Sequence, residues 1–581
     1  MARSFATTFA LLIIVINVNA TPKPSPCNVV ARIESGWVCG LTRWAEAGTL
    51  YASFRGVPYA KQPIAELRFK ELQPLEPQEY YIDATEEGPV CPQTDVLYGR
   101  IMRPKGFSEA CIHANIHVPL EALPRQPPNE LDDRYWSGSS QTLGLPILVF
   151  IHGGGFAFGS GDADLHGPEY LVSRKIIVIT FNYRLNVLGF LSLNSTSIPG
   201  NNGLRDMVTL LRWVQRNARA FGGNPDDVTI MGQSAGASSA HMLTMSEAAR
   251  GLFKRAILMS GNGLPFFHTA SPAYSQFITK LFLSLVDITS TDPEEVHQKL
   301  IEMPIEKITE ANNVLLDQFG ITTFFPVVET PKPGITTILE DDPEVLFAKG
   351  RGSDIPLLIG FTNSECETFR RRMEQIDIIS RIQKNPSQLV PVNTIFSNTP
   401  DVVDDISKRI IQRYFNGTLN IEKYLNLCSD SFFMYPALRL AEKRAEAGIA
   451  PVFLYKFSYD GDNSVFKKVD DLKFEGAGHI EDLTYVFRVN SILEKHFSYP
   501  PRNRDDHMKY WMTMFVTNFM KCSDPVCSDN SSWPAVNPNK LGYQHIQTPN
   551  VYQYTELTKD EMSMKHFFDS FQKDNYVNGV K

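Results

Sequence analysis

Short apolar runs, several of them rich in β-branched residues, alternate along this chain with longer stretches of helical periodicity. Residues 147–151, 176–181, 228–231, 256–259, 356–359 and 452–457 lack the polar alternation of a half-exposed strand, so they are expected to be buried on both faces. Between the second and third of these runs, Leu204, Met207, Leu210, Leu211, Val214 and Ala218 recur at helical spacing over residues 203–221. This alternation predicts an α/β fold, a large mostly parallel central sheet with helices on both faces. No internal repeat or low-complexity linker interrupts the pattern. The proline-rich stretch at 124–128 and the polar residues to Ser140 read as a surface loop, because strands continue on either side. One domain is expected over residues 21–581.

Composition refines this picture at a few points. Of 581 residues, 43% are hydrophobic and 21% charged, enough apolar material for a sizeable core. The net charge of −8 comes without a lysine- or arginine-rich run, which argues against nucleic acid or an anionic membrane as partner and favours a small neutral or apolar molecule. Arg3 precedes a mostly apolar stretch at 9–20 that ends in Val18-Asn19-Ala20, the pattern of a signal peptide covering residues 1–20. That stretch is shorter than the roughly 20 apolar residues of a membrane span. Residues 574–581 are polar, unlike a lipid-anchor signal. A secreted protein is the expectation. The eight cysteines at 27, 39, 91, 111, 366, 428, 522 and 527 would then meet an oxidising compartment, and Asn194, Asn416 and Asn530 head glycosylation acceptor sequences.

The chemistry concentrates in four segments. The apolar run at 228–231 leads into Gly232-Gln233-Ser234-Ala235-Gly236 and then a helix-compatible stretch, the strand-turn-helix setting in which a serine hydroxyl is presented at the end of a sheet. Such a match arises by chance roughly 0.2 times in a chain this long, so it needs support from elsewhere. The strand at 147–151 provides it by running into His152-Gly153-Gly154-Gly155-Phe156, a loop whose backbone amides can turn toward a substrate oxygen. A nucleotide-binding glycine loop is the rival reading. It lacks a following helix, and the next strand carries no acid for a ribose. In this fold an acid and then a histidine should follow the serine. Glu365, with Glu367 as the alternative, lies just past the strand expected to end before Gly360, and His479 sits in the glycine-rich loop Gly476-Ala477-Gly478-His479. His113 and His117 read as strand residues about 13 Å apart and cannot share an ion. No metal-ligand spacing appears elsewhere, and no metal or cofactor is expected.

These segments, with Phe54-Arg55-Gly56-Val57-Pro58-Tyr59-Ala60, Leu67-Arg68-Phe69, Glu109-Ala110-Cys111, the run Asn201-Asn202-Gly203-Leu204-Arg205-Asp206 and Phe221-Gly222-Gly223-Asn224-Pro225, resemble the carboxylesterase and cholinesterase family over nearly the whole chain. The resemblance implies an α/β-hydrolase fold and a catalytic triad of Ser234, Glu365 and His479. It also implies oxyanion donors at Gly154, Gly155 and Ala235, and a disulfide between Cys91 and Cys111. Pairing of the other cysteines stays open. Met207 departs from the family, whose members more often carry glutamine there.

Within the family, the stretches 71–77, 93–100, 151–161 and 478–487, together with Gln233, are most similar to the branch that hydrolyses the methyl ester of juvenile hormone in moths. That likeness implies an apolar ester substrate converted to an acid and methanol through an acyl-enzyme, a monomer in the haemolymph, and a hormone carrier protein as a partner. The residues agree in part. Cholinesterases hold choline with a tryptophan inside the first disulfide loop, and residues 91–111 contain none. Phe156, Phe319, Phe324, Phe325 and Phe369 fall where a substrate pocket is expected. The rival reading is a general or odorant-degrading carboxylesterase with the same triad. A catalytically dead adhesion module fits poorly with an intact triad, and epoxide hydrolysis on this fold would need aspartate at position 234.

Overall fold

A computed structural model describes residues 27–573 except 100, 125–143, 265–268, 463, 493–500, 528–532 and 550. The expected signal segment, most of the 124–140 loop and Asn530 lie outside the described residues. An amino-terminal antiparallel group comprises β1 (Val29–Ile33), β2 (Gly36–Trp44), β3 (Leu50–Pro58) and β5 (His113–Pro119), with the short β4 (Ile82–Asp83) beside β2. It joins a parallel run of β6 (Leu145–Ile151), β7 (Ile177–Phe181), β8 (Gly223–Gln233), β9 (Arg255–Met259), β10 (Leu357–Thr362), β11 (Val452–Phe457) and β12 (Gly542–Thr548), edged by the antiparallel β13 (Val551–Glu556). The spatial order is β1-β2-β3-β5-β7-β6-β8-β9-β10-β11-β12-β13.

The apolar runs that announced the central strands are buried on both faces. In β6, Ile147, Val149 and Ile151 enter one hydrophobic cluster while Leu148 and Phe150 enter the other. In β10, Leu357, Ile359 and Phe361 face the first and Leu358 the second. The helical pattern at 203–221 forms α1 (Asn202–Asn217), continued by a tight turn over Ala218–Phe221. Each of the six predicted runs coincides with a strand, with small corrections: Ile176 and Pro356 fall one residue before β7 and β10, and β10 continues past Gly360 to Thr362, since its pairing with β11 carries on to Phe457.

Two strand pairings place the site. From β6 the chain passes to β7 on one side, while β8, β9, β10 and β11 follow one another on the other side. Loops leaving the carboxyl ends of β6 and β8 therefore diverge and leave a crevice between them, the usual ligand position in open α/β sheets. Ile151 at the end of β6 pairs with Gly232 near the end of β8, so the glycine loop and the serine turn emerge side by side.

Cys91 and Cys111 are joined as the family resemblance implied, and Cys27–Cys39, Cys366–Cys428 and Cys522–Cys527 form the other disulfides. Asn194 and Asn416 stand exposed in left-handed turns, at φ 49° and 40°. Among the described residues no helix is long and apolar enough to cross a membrane.

Candidate active site

Ser234 links β8 to α2 (Ala235–Met245) at φ 57°, ψ −125°, a conformation uncommon for a residue with a side chain. The flanking glycines explain how the turn closes. A Cβ on Gly232 would lie 2.2 Å from the carbonyl of Gly236, and one on Gly236 would lie 2.1 Å from the carbonyl oxygen of Ile151. Strand, helix and glycine loop thus meet backbone to backbone. The Ser234 N–H donates to the Met259 carbonyl at 2.8 Å and its carbonyl accepts from Ser238 N at 3.0 Å, which ties the turn to β9 and to its own helix.

The glycine loop is held from several directions. Gln93 clamps Gly159, donating to its carbonyl at 3.0 Å and accepting from its amide at 2.6 Å. The Tyr183 hydroxyl donates to the His152 carbonyl at 2.9 Å, and its ring stacks on the His152 imidazole. Thr322 donates to the Gly155 carbonyl at 2.5 Å. Gly154 sits at φ 98°, where a Cβ would fall 2.0 Å from the Phe158 carbonyl oxygen. Among the described residues the amides of Gly154, Gly155 and Ala235 donate to no protein acceptor. That leaves them free for a ligand oxygen, and the Ala235 amide adds the positive end of α2.

Glu365 opens a tight turn (Glu365–Phe369) three residues past the end of β10 and is fully buried. Its Oε1 accepts from Ser260 Oγ and from the Thr362 amide, each at 2.7 Å. Oε2 meets His479 Nδ1 at 2.5 Å, and the His479 amide donates to the Glu365 carbonyl at 3.0 Å. Glu367, the alternative acid, is turned away and paired with Arg370 at 2.8 Å. The imidazole of His479 packs against the rings of both Phe433 and Phe369, at 4.7 and 5.1 Å between centroids. Its loop is pinned by Asn363, which accepts from the Ala477 amide at 2.8 Å, and by Glu481, which accepts from the Gly478 amide at 2.8 Å. On the other side of the ring, Nε2 faces Gln233 Nε2 at 3.0 Å. Among the described residues Ser234 makes no hydrogen bond with His479.

Two further acids sit behind this loop. Burial, with Glu365 adding repulsion, pushes the Asp482 carboxyl up to about 7, although the Tyr455 hydroxyl donates to it at 2.8 Å. Burial likewise raises Glu481 to about 7.

Ser234, Gly154, Gly155, Gln233 and His479 all line a cavity of about 460 Å³. Phe319, Phe325 and Phe369 stand on its wall. Phe156 and Phe324 do not, and this corrects the sequence reading. Phe156, at φ 60°, turns inward against Phe190, and Phe158 takes its place at the cavity, while Phe324 packs on Phe282 in the core. Much of the wall comes from α3 (Pro272–Leu285), which contributes Tyr274 and Phe277, from the end of α4 (Ile305–Phe319), and from Tyr424 and Cys428 on α5 (Ile421–Ser429), with Phe433 just beyond. Leu97 and Tyr98, from the loop closed by Cys91 and Cys111, also line the cavity. Gln93 lies in a segment that carried the family resemblance. Ser260 is one residue past a recognised strand, at the carboxyl edge where functional groups gather.

Residues 28–565 match the family model described as "Carboxylesterase family". A juvenile hormone esterase of Heliothis virescens is 56% identical over 547 residues, covering 94% of each chain. The crystal structure of juvenile hormone esterase from Manduca sexta, with OTFP covalently attached, superposes with a TM-score of 0.89 at 64% identity, covering 94% of this chain and 99% of that one. Esterase FE4 of Myzus persicae is 30% identical, over 91% of this chain and 89% of its own.

Proposed function

The chain belongs to the carboxylesterase family, and we propose that it hydrolyses the methyl ester of juvenile hormone, releasing the acid and methanol. The observation that carries this reading is the largely apolar cavity of about 460 Å³ into which Ser234, His479 and the unengaged glycine amides all open. A volume of that size suits a long apolar chain with one polar end.

In this reading His479 takes the Ser234 proton and Oγ adds to the ester carbonyl. The amides of Gly154, Gly155 and Ala235 hold the oxyanion that forms. His479 then returns the proton to the methoxide oxygen as its bond to carbon breaks, and water cleaves the acyl-enzyme by the same route. Glu365 orients the imidazole and stabilises its charged form, as the hydrogen bond at Nδ1 supports. An ester conjugated to a double bond is a poor electrophile, so oxyanion stabilisation carries much of the work.

The amino-terminal apolar stretch and the disulfides favour secretion, and the reading places the enzyme in the haemolymph with a hormone carrier protein as partner. Radiolabelled juvenile hormone tests the function. Hormone acid should be the product, and Ser234→Ala should lose both turnover and organophosphate labelling while keeping its melting temperature. A diol product, or turnover by Ser234→Ala, overturns the reading.

A further inference from the structure

The mechanism asks His479 Nε2 to accept the Ser234 proton, yet in the resting protein that nitrogen is engaged by the Gln233 side chain at 3.0 Å. Both side chains are about 1% exposed. The partner at Nδ1 decides which end of the amide must face the ring. A Glu365 carboxylate accepts hydrogen bonds, so Nδ1 carries the proton and the neutral ring offers a lone pair at Nε2. The group opposite must then donate, which is the NH₂ of Gln233. Once the ring takes a second proton, Nε2 becomes a donor, and a half-turn of the amide presents Oε1 instead. A carboxylate at this position would serve the imidazolium alone, and an apolar side chain would serve neither form.

We propose that Gln233 is a positioning residue for His479, an amide that can pair with Nε2 of the resting imidazole in either protonation state, holds the plane of the ring, and yields the single lone pair of that nitrogen to the Ser234 hydroxyl when the serine attacks. The proposal rests on the reading of Ser234 as nucleophile and His479 as base. Other ionisable groups near the ring approach from elsewhere. Glu365 faces Nδ1, and Asp482 stands behind Glu365 with Tyr455 on its carboxylate. Glu481 is engaged by the Gly478 amide, and Lys467 reaches the Gly476 carbonyl at 2.7 Å. These groups are common to native and variant protein, so a difference between the two reports position 233.

The test is the pH profile of kcat/KM on an apolar methyl ester from pH 5 to 9, for the native protein, Gln233→Glu and Gln233→Met, each normalised by organophosphate titration of active sites. In Gln233→Glu a carboxylate beside Nε2 favours the imidazolium, so the acid limb should move up by about one pH unit or more, a loss of roughly tenfold at pH 6 relative to its own plateau. Gln233→Met should leave the limb near the native position, keep KM within about threefold and lower kcat by about tenfold or more, as expected when a positioned base loosens. A downfield proton resonance is expected from the Nδ1–Glu365 hydrogen bond of the native protein, and it should broaden in Gln233→Met. An unmoved acid limb in Gln233→Glu, or native kcat in Gln233→Met, overturns the proposal. If Gln233→Glu fails to fold, the kcat of Gln233→Met decides alone. Ser234→Ala run in parallel separates the two levels: turnover there sinks the functional reading, whereas an inactive Ser234→Ala beside an unmoved limb sinks the role of Gln233.

Discussion

Glu365 and Glu367 stand two residues apart, and their surroundings assign them different work. One is fully buried with its oxygens on Ser260, Thr362 and His479, while the other is paired with Arg370 near the surface of the turn. Glu365→Gln should therefore lower kcat by about 10³ or more, the scale seen when a triad acid loses its charge. Glu367→Gln gives up a partly exposed ion pair, worth at most about 1 kcal/mol, and should keep kcat within about twofold. Active-site-normalised kinetics of both variants check this. Individual residues were legible where a backbone demand selected them. The glycines at 232 and 236 and the serine between them announce a tight turn in any reading of the chain. The inward swing of Phe156 was not legible, because one left-handed residue exchanges the sides of Phe156 and Phe158 and no hydrophobic pattern records that.

At the scale of elements, the glycine loop and the histidine loop each carry a prediction. Gly154→Ala would have to relieve a 2.0 Å contact with the Phe158 carbonyl at a φ that disfavours a side chain, so the loop must shift its amides. kcat/KM should fall by about 10² or more, the cost of losing an oxyanion donor, with a small change in melting temperature. Steady-state kinetics beside thermal unfolding separate these effects. In the histidine loop, Asp482 holds its proton up to about pH 7 when folded and releases it near 3.8 when unfolded. Between those values the folded chain binds the extra proton, so this group's contribution to stability falls as pH rises. Asp482→Asn should thus gain stability relative to native protein from pH 4 to 7, by at most on the order of 1.4 kcal/mol per pH unit, and level off above 7. Melting temperatures across that range test it, and a difference independent of pH contradicts it. The elements themselves were the most legible part of the sequence, since strands buried on both faces leave unbroken apolar runs. The meeting of Gln233 with a loop 246 residues away was not legible, for it depends on how the strands are ordered.

For the whole molecule, the cavity sets the expected selectivity. Trifluoromethyl ketones add serine readily, and each methylene that enters an apolar wall should contribute about 0.8 kcal/mol, roughly fourfold in affinity, until the space is full. Inhibition constants for alkyl chains of increasing length should climb and then flatten. Acetylcholine should be a poor substrate beside an apolar methyl ester, since residues 91–111 hold no tryptophan, the strongest cation-π partner, and no carboxylate among the described residues lines the cavity to meet a quaternary ammonium. Flat potency along the series, or rapid acetylcholine cleavage, contradicts the proposed substrate. Family and chemistry were open to reading because their residues cluster in short motifs. The wall was only half readable, because its residues are scattered over segments whose packing is settled in three dimensions.

The origin of that wall has a consequence for how such a protein changes over time. Ser234 and the glycine loop leave adjoining strands, and Glu365 and His479 sit in short turns fastened to the same sheet. Tyr274, Phe277, Phe319, Phe396, Tyr424 and Phe433 instead belong to the two long excursions of the chain between β9 and β10 and between β10 and β11. Reactivity and taste are thereby inherited as separate parts. Apart from Glu365 and the two rings packed on His479, Phe369 and Phe433, residues of the excursions can change which ester is welcomed without touching the atoms that cut it, so a lineage can explore new substrates while remaining an enzyme at every step.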